Sequence, residues 1–298
     1  MANIAPARAL AQALEPFAGQ VYFAPECHRG YVELGFNPSP GKSGSTELPD
    51  GPAYFCSRGS VMGQVPGEVV AAAFGVFNPA AVTAAVDYGW TLTDAPTICQ
   101  ARTDGAVGQL QRILGPRPAG LDRALELLRR TEDRLPLAGN PLFAGLVAQG
   151  LPGEPLADAW RLTDRLREFR GDVHINAWTT AGFDAVEIGL LTELHWGLPL
   201  RSYIRSRAWT NEDLDAAEER LTSRGLIRDG AFTDAGRSAR EAVEVTTDEK
   251  CAPIINALGD GVDELTGILA GWSHDVRSAG GYLAGRKNVA EVGDNPLR

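Results

Sequence analysis

The residues with the clearest potential for chemistry lie close together in the segment REFRGDVHINAW, residues 167 to 178. Arg167 and Arg170 can hold an anion or a carbonyl group through charge-assisted hydrogen bonds. His174 can carry a proton, because the ordinary pKa of histidine is about 6.5. Asp172 can act as its acidic partner in proton transfer. The segment therefore predicts a binding or catalytic site on one helix.

These residues belong to a helix whose wheel separates an apolar sector from a mixed one. At about 100° per residue, the apolar sector, which we expect to be buried, contains Leu162, Leu166, Phe169, Val173 and Ala177. The adjoining sector mixes arginine, histidine, glycine and tryptophan, and contains Trp160, Arg167, Arg170, Gly171, His174 and Trp178. A helical glycine costs about 1 kcal/mol relative to alanine, so Gly171 indicates a close approach to the backbone. The mixed sector predicts a pocket wall; the alternative is an interhelical cluster of salt bridges flanked by two packed tryptophans.

Residues from other segments complete the predicted pocket. Arg58 is expected to hold an anionic or carbonyl group together with Arg170. Tyr22, with Trp160 and Trp178, is expected to cover an apolar or aromatic body. For Arg58 the alternative is a structural role in which it satisfies backbone carbonyls.

A metal site and a nucleotide site are both disfavoured. Glu26, Cys27 and His28 are adjacent and could be joined by Asp172 and His174, but their spacing matches no standard zinc pattern. We therefore predict no metal. Glu26 stays an alternative to Asp172 as the proton-transfer partner of His174. Neither GxGxxG nor GxxxxGK occurs, so nothing indicates a nucleotide, and the cofactor, if any, stays open.

Composition and charge restrict the class of protein. The 298-residue chain has a net charge of −10, which disfavours polyanionic partners. No run of about 18 apolar residues occurs, so the sequence predicts no membrane span. The four cysteines are widely spaced and form no CxxC pair: Cys27, Cys56, Cys99 and Cys251. This usage predicts reduced thiols in the cytoplasm.

Proline and glycine divide a mostly helical pattern into two predicted domains. Residues 1–155 contain successive amphipathic helices, and the segment LPGEP (151 to 155) predicts the junction. Residues 156–298 contain the helix described above, three further helices and a hairpin at Asp229-Gly230, a dipeptide that favours two-residue β-turns. Three helices with a small hairpin predict a winged helix-turn-helix. The predicted fold class is therefore mainly α, with a helical N-terminal domain and a small β-hairpin wing.

Motifs in both parts are similar to those of one family. The patterns W-T-x-E-D-L, L-x-x-R-G-L-I and D-G-x-x-T-x-x-G-R, between residues 209 and 237, resemble a MarR-type winged helix. The resemblance extends to an actinobacterial two-domain family through VYFAPE (21 to 26), SRGSVMG (57 to 63), FGVFNP (74 to 79), LREFRGDVH (166 to 174), SRAW (206 to 209) and TTDEKCAPIINALG (246 to 259). It implies an N-terminal helical domain before a MarR-like winged helix, and it leaves the activity open.

The chain departs from that family at three positions near its densest motif. Members usually have His, Arg and Gly where this chain has Phe169, Asn140 and Val173. These departures predict a pocket adapted to less polar contents, or a member that has lost one role of the parent family.

The third helix of the winged segment is a poor candidate for reading DNA. Such a helix needs Arg, Lys, Asn or Gln on its exposed face. Here five acids stand against two arginines: Glu212, Asp213, Asp215, Glu218 and Glu219 against Arg220 and Arg224. The basic stretch before it, with Arg201, Arg205 and Arg207, is expected to frame the fold or to bind a smaller anion. The sequence therefore disfavours DNA binding.

Two functions from different classes remain. The first is a small-molecule-binding protein or an enzyme, for example one that tailors secondary metabolites, with its pocket between the two domains. The alternative is a ligand-responsive MarR-like transcriptional regulator. The acidic third helix favours the first. The apolar stripe of the C-terminal segment (261 to 285), with Trp272, predicts a homodimer in either case.

Overall fold

The computed structural model describes residues 5–285, and the protein is mainly helical. The first part of the chain forms α1 (Ala5–Gly19), α2 (Pro25–Glu33), α3 (Gly51–Gly59), α4 (Gly67–Phe74), α5 (Pro79–Leu92), α6 (Ala95–Leu114), α7 (Leu121–Arg129) and α8 (Pro141–Ala148). The second part forms α9 (Pro155–Thr180), α10 (Ala185–His195), α11 (Asn211–Ser223), α12 (Asp234–Lys250), α13 (Ala252–Leu258) and α14 (Val262–Ser278). Within the described range, β-structure consists of the antiparallel pairs β1 (Lys42–Ser43) with β2 (Thr46–Glu47) and β3 (Ile227–Arg228) with β4 (Ala231–Phe232). The predicted mainly-α class with a small β wing is confirmed.

Local capping explains where several helices begin. At the start of α5, Asn78 Oδ1 accepts a hydrogen bond from Ala80 N at 3.0 Å. At the start of α11, Thr210 and Asp213 form a capping box, in which each side chain accepts from the backbone N–H of the other. These side chains satisfy N–H groups that the first turn of a helix leaves unpaired.

The buried apolar residues form two clusters that share α9. The larger cluster takes residues from α1 through the first two thirds of α9 and takes more from α13 and α14. The smaller cluster runs from Ala177 to Val243 and holds the winged segment together. The predicted buried stripe of α9 is buried, and its last residue, Ala177, lies in the smaller cluster. A boundary near residue 155 stays a prediction, because α9 packs into both clusters.

The C-terminal helix packs inside the chain. Trp272 of α14 is buried, its ring centroid lies 5.0 Å from that of Phe17 in α1, and its Nε1 donates to Ala119 O at 3.1 Å. Leu265, Leu269 and Val276 of α14 belong to the same core. The apolar stripe that suggested a dimer interface is thus buried within one copy of the chain, and a homodimer stays a prediction.

The winged segment follows the predicted order with one difference. The second of the three predicted helices, in the segment LPLRSYIRSRAW (198 to 209), is a 3-10 helix, Tyr203–Arg207, which lies between α10 and α11. Glu193 explains the difference, because its buried carboxylate accepts from Arg201 N at 2.7 Å and Ile204 N at 2.6 Å. Arg201 also has a left-handed φ of 62°, which interrupts a helix. The hairpin turn is as predicted, with φ of 50° at Asp229 and 74° at Gly230, as a type I′ turn requires.

The described residues also bear on the thiols and on the membrane. Cys27, Cys56, Cys99 and Cys251 are all unpaired and buried. Burial raises the pKa of the Cys27, Cys56 and Cys251 thiols to about 12. Between residues 5 and 285, none of the helices has the length and apolar character needed to cross a bilayer.

Candidate functional site

A cavity of about 180 Å³ lies where α1, α9 and α13 meet, with Arg58 of α3 at one side. Its apolar lining residues are Ala7, Leu10, Ala11, Leu14, Leu166, Cys251, Ile254 and Ile255. Its charged or polar lining residues are Glu15, Arg58, Arg167, Glu168, Arg170 and His174, and Gly171 also lines it. The cavity is therefore amphipathic, and one face of α9 supplies most of its polar side.

The cavity brings together most of the residues proposed from the helical wheel. Arg167, Arg170, Gly171 and His174 all line it, and Arg58 joins them from α3. A Cβ built on Gly171 meets only Glu168 Oε2, at 3.6 Å, which is ordinary van der Waals contact. The close approach to the backbone that Gly171 suggested in the sequence is therefore not found, and a side chain at this position would extend into free space beside the cavity.

Glu168 holds two of the cavity arginines. Arg58 donates to it through Nε at 2.8 Å and Nη2 at 2.7 Å, in a two-point pair. Arg167 donates through Nη1 at 2.8 Å and uses its Nε on Glu15, at 3.1 Å to both oxygens. Burial opposes ionisation of Glu168, but the charges of Arg58 and Arg167 outweigh it and lower its pKa to about 2. Glu168 is thus a carboxylate at neutral pH.

Arg170 and His174 connect the cavity to α12. Arg170 Nη2 donates to Glu244 Oε2 at 3.0 Å and to Asp248 Oδ1 at 3.2 Å. His174 Nδ1 lies 2.9 Å from Thr247 Oγ1. Helix α12 starts directly after the wing, so these contacts join the cavity wall to the winged segment.

The partner of His174 determines its tautomer. Thr247 Oγ1 donates its hydrogen to Val243 O at 2.7 Å, so it can only accept from His174 Nδ1. The proton of the neutral ring is therefore assigned to Nδ1, and Nε2 is left as the acceptor nitrogen. Burial lowers the pKa of His174 to about 4, which outweighs the attraction of the Glu244 carboxylate. At neutral pH the ring is uncharged and offers a hydrogen-bond acceptor.

Three aromatic residues of the predicted pocket lie elsewhere. Trp160 is fully buried in the larger core, where its Nε1 donates to Ala18 O at 3.1 Å. Trp178 is buried in the smaller core. Tyr22 lies behind the polar wall, where its hydroxyl donates to Glu168 Oε1 at 3.1 Å. They fit the structural alternative, and the tryptophans flank a salt-bridge cluster through packing.

Asp172 also points away from the cavity. Its Oδ2 accepts from Phe143 N at 3.0 Å, at the start of α8. It is therefore not the partner of His174 in proton transfer that the sequence suggested. Burial raises its pKa to about 7, despite the hydrogen bond from Phe143 N.

Asp172 should make the stability of the protein depend on pH near neutrality. Its pKa in the folded state is raised above the unfolded value of about 3.9, so its ionisation weakens the fold as pH rises through 7. Replacing Asp172 with Asn removes this term. Between pH 6 and pH 8, the free energy of unfolding of the wild type should fall by about 1 kcal/mol more than that of the variant. Urea unfolding at both pH values measures this change, and Asp122→Asn, at an exposed position, is the control. If the stability difference between wild type and Asp172→Asn is the same at both pH values, the raised pKa of Asp172 is refuted.

The acids that balance the cavity arginines were missed from the sequence. The sequence led us to expect that the arginines hold an anionic or carbonyl group of a ligand. In the structure their hydrogen bonds are accepted by carboxylates of the chain: Glu15, Glu168, Glu244 and Asp248. One local signal was present, because Glu168 lies inside the motif LREFRGDVH beside Arg167. The other three acids come from distant helices, and nothing in their local sequence connects them to α9.

The departures from the resembled family lie beside the cavity and outside its wall. Phe169 is fully buried and packs edge-on against Phe143 at 5.2 Å between ring centroids. Val173 is buried in the same core. Asn140 Nδ2 donates to Pro136 O and Ala138 O at 2.9 and 3.2 Å. These residues shape the packing of α8 on α9, and none of them is a lining residue of the cavity.

The residues that were weighed as metal ligands contact different partners. Glu26 accepts from Arg112 Nε at 2.7 Å, while Cys27 Sγ donates to Arg102 O at 3.6 Å. His28 Nε2 lies 3.0 Å from Tyr22 O. In the part of the chain that the structure describes, no group of three or more His, Cys, Asp or Glu is arranged to hold a metal ion.

The order of helices, turn and hairpin in the second half agrees with a comparison of the sequence with known families. A model described as a helix-turn-helix family matches residues 7–283, nearly the whole chain. The chain belongs to this helix-turn-helix family. The comparisons with curated proteins and with solved structures returned no match.

In this helix-turn-helix protein, three of the arginines around α11 are engaged by carboxylates, while Arg205 and Arg207 of the preceding stretch donate to Asn211 and Tyr203. Arg220 pairs with Asp184 at 2.5 Å, and Arg224 pairs with Glu187 at 3.1 Å. Arg201, before α11, pairs with Asp215 and Glu218, each at 2.7 Å. A phosphate backbone would have to compete with these intramolecular pairs. The acidic side chains Glu212, Asp215 and Glu219 are exposed on the same helix.

Proposed function

We propose that the protein binds a small molecule in the cavity between α1, α9 and α13, and uses its helix-turn-helix segment as a scaffold around that site. The observation that carries this proposal is the amphipathic lining, which combines an apolar surface with Arg58, Arg167, Arg170 and His174. Ligand sites in proteins typically combine a largely apolar lining with a few convergent polar groups. The glycine at position 171, in the middle of a long helix, supports it because alanine would be the more stable choice there.

Binding is favoured over catalysis by the arrangement of proton carriers. General acid–base chemistry needs groups within hydrogen-bond reach of the reacting atoms. His174 lines the cavity, but its proposed partners do not: Asp172 caps α8, and Glu26 pairs with Arg112. Glu15 and Glu168 line it, but both are held by Arg167. The site therefore offers recognition groups more readily than a proton-transfer pair.

Gly171 provides the test of the site. Gly171→Ala should raise the free energy of unfolding by about 0.5–1 kcal/mol through helix propensity. The same methyl group occupies cavity space, so binding of one-ring compounds (benzene, toluene or phenol) should weaken by about 1 kcal/mol or more. The measurements are thermal unfolding and titration calorimetry on the full chain.

Gly267→Ala is the matched control for that substitution. Gly267 lies exposed within α14, and a Cβ there meets no atom within 4 Å. It should stabilise the helix and leave affinity unchanged. If none of the compounds binds the wild type, or if Gly171→Ala binds them equally well, the proposed site is wrong.

The family match favours a second candidate, a ligand-responsive MarR-like regulator, because helix-turn-helix segments commonly bind DNA. The contacts of Arg170 and His174 with α12 give such a protein a physical link from ligand to wing. The acidic exposed face of α11 opposes it. We expect no shift of duplex DNA, including the gene's own upstream region, in a gel assay at about 150 mM salt. Sequence-selective retardation at nanomolar protein would establish the regulator instead.

A further inference from the structure

We infer that the cavity selects a neutral, single-ring molecule that carries a hydroxyl group, such as a phenol, over an anion or a plain hydrocarbon. The inference rests on the proposed function and names its ligand class. It follows from the charge balance of the lining, the size of the cavity and the acceptor nitrogen of His174.

The charge balance excludes an ionic ligand. Each arginine of the wall already faces carboxylates of the chain: Arg58 with Glu168, Arg167 with Glu15 and Glu168, and Arg170 with Glu244 and Asp248. An added carboxylate would find no unpaired guanidinium and would approach those acids closely. An added ammonium group would approach three guanidinium groups. Burying an ion without a partner of opposite charge is strongly unfavourable, so the wall suits a neutral molecule.

The size of the cavity suits one ring. Its volume is about 180 Å³, and an apolar protein cavity of about 150 Å³ is large enough to hold benzene. Leu10, Leu14, Ile254 and Ile255 provide an apolar surface for the ring. The remaining space accommodates a substituent of a few atoms.

The polar lining offers one hydrogen-bond acceptor, His174 Nε2. His174 lines the cavity, and its Nδ1 carries the proton that binds Thr247 Oγ1, which leaves Nε2 as the acceptor nitrogen of the ring. Arg170 Nε is fully buried, so a ligand in the cavity does not reach it. A hydroxyl group can donate to His174 Nε2, whereas a plain hydrocarbon cannot.

The first test compares ligands of matched shape. Phenol, toluene and benzoate are titrated into the full chain at neutral pH by calorimetry. We expect phenol to bind more tightly than toluene, although toluene is the more hydrophobic, and benzoate to bind the weakest. Tighter binding of toluene or benzoate than of phenol would overturn the ligand class and leave the proposed site intact. No binding of any of the three would overturn both.

The second test removes the acceptor in two ways. His174→Leu deletes it, and Thr247→Val preserves shape while removing the group that holds the proton on Nδ1. In His174→Leu we expect toluene to bind more tightly than phenol. Phenol should bind about tenfold more weakly to this variant than to the wild type. Thr247→Val should reduce the preference for phenol without changing the affinity for toluene. An unchanged preference in both variants, each checked for native circular dichroism, would refute the hydroxyl contact.

Discussion

Replacing Glu168 with Gln should lower the free energy of unfolding at pH 7 by about 3–5 kcal/mol, because breaking a buried ion pair leaves its partner charged and unpaired. Glu168 is 2% exposed and holds Arg58 at two points and Arg167 at a third. A neutral amide can accept at one oxygen only. Two guanidinium groups would then lack their shared counter-charge in a buried position. Urea unfolding of both proteins measures the difference.

The pH dependence of that difference identifies its origin. The pKa of Glu168 is lowered to about 2, so its stabilisation is complete above the unfolded value of about 4.3 and is lost as pH falls towards 2. The gap between wild type and Glu168→Gln should therefore narrow below pH 4. Glu264→Gln is the matched control, because Glu264 pairs with Arg123 at 2.7 Å on the surface and such pairs contribute about 0–1 kcal/mol. If Glu168→Gln and Glu264→Gln lose equal free energy of unfolding, the loss in Glu168→Gln does not come from breaking a buried ion pair.

Replacing Asp164 with Ala should have an effect of similar size, about 3–5 kcal/mol, for the same reason in a more buried place. Arg102 Nη2 donates to Asp164 Oδ2 at 2.8 Å, and the two side chains are 1% and 0% exposed. Arg102 Nε and Nη1 have no hydrogen-bond partner in the described structure. Removing the carboxylate leaves the guanidinium with almost no compensation inside the larger core.

The double variant Arg102→Met with Asp164→Ala separates the pair from its surroundings. A buried pair with unsatisfied atoms carries a large desolvation penalty, and apolar replacement of both partners is often neutral or stabilising. We expect the double variant to recover at least about 2 kcal/mol relative to Asp164→Ala. Equilibrium unfolding of the wild type, both single variants and the double variant completes the cycle. Strictly additive losses would show that the two charges do not interact.

Local features of the fold were predictable from the sequence because they depend on neighbouring residues. Asn78 and the Thr210–Asp213 box mark helix starts through contacts two or three positions apart. The Asp229-Gly230 turn follows from the backbone freedom of those two residues. The α9 stripe follows from the 3.6-residue period of a helix. The 3-10 helix at Tyr203–Arg207 was missed because the carboxylate of Glu193, ten positions earlier, determines it.

The site was predictable only on its own helix. The wheel of α9 placed Arg167, Arg170, Gly171 and His174 on one side, and the structure has all four in the cavity wall. The same wheel also included Trp160 and Trp178, which the structure buries in the two cores. Helical periodicity gives the direction of a side chain but does not show whether a cavity or a packed helix lies opposite.

The tertiary structure alone decided which charges meet. Glu168 pairs with Arg58, which lies 110 positions away in the sequence, and Arg170 pairs with Glu244, which lies 74 positions away. Such pairs depend on how α3 and α12 pack against α9, and no local pattern encodes that packing. The sequence by itself therefore determined the mainly-α, winged architecture and the polar face of α9. Packing decided that this face is neutralised by the chain's own acids and borders a cavity, because long-range contacts form only when the helices come together.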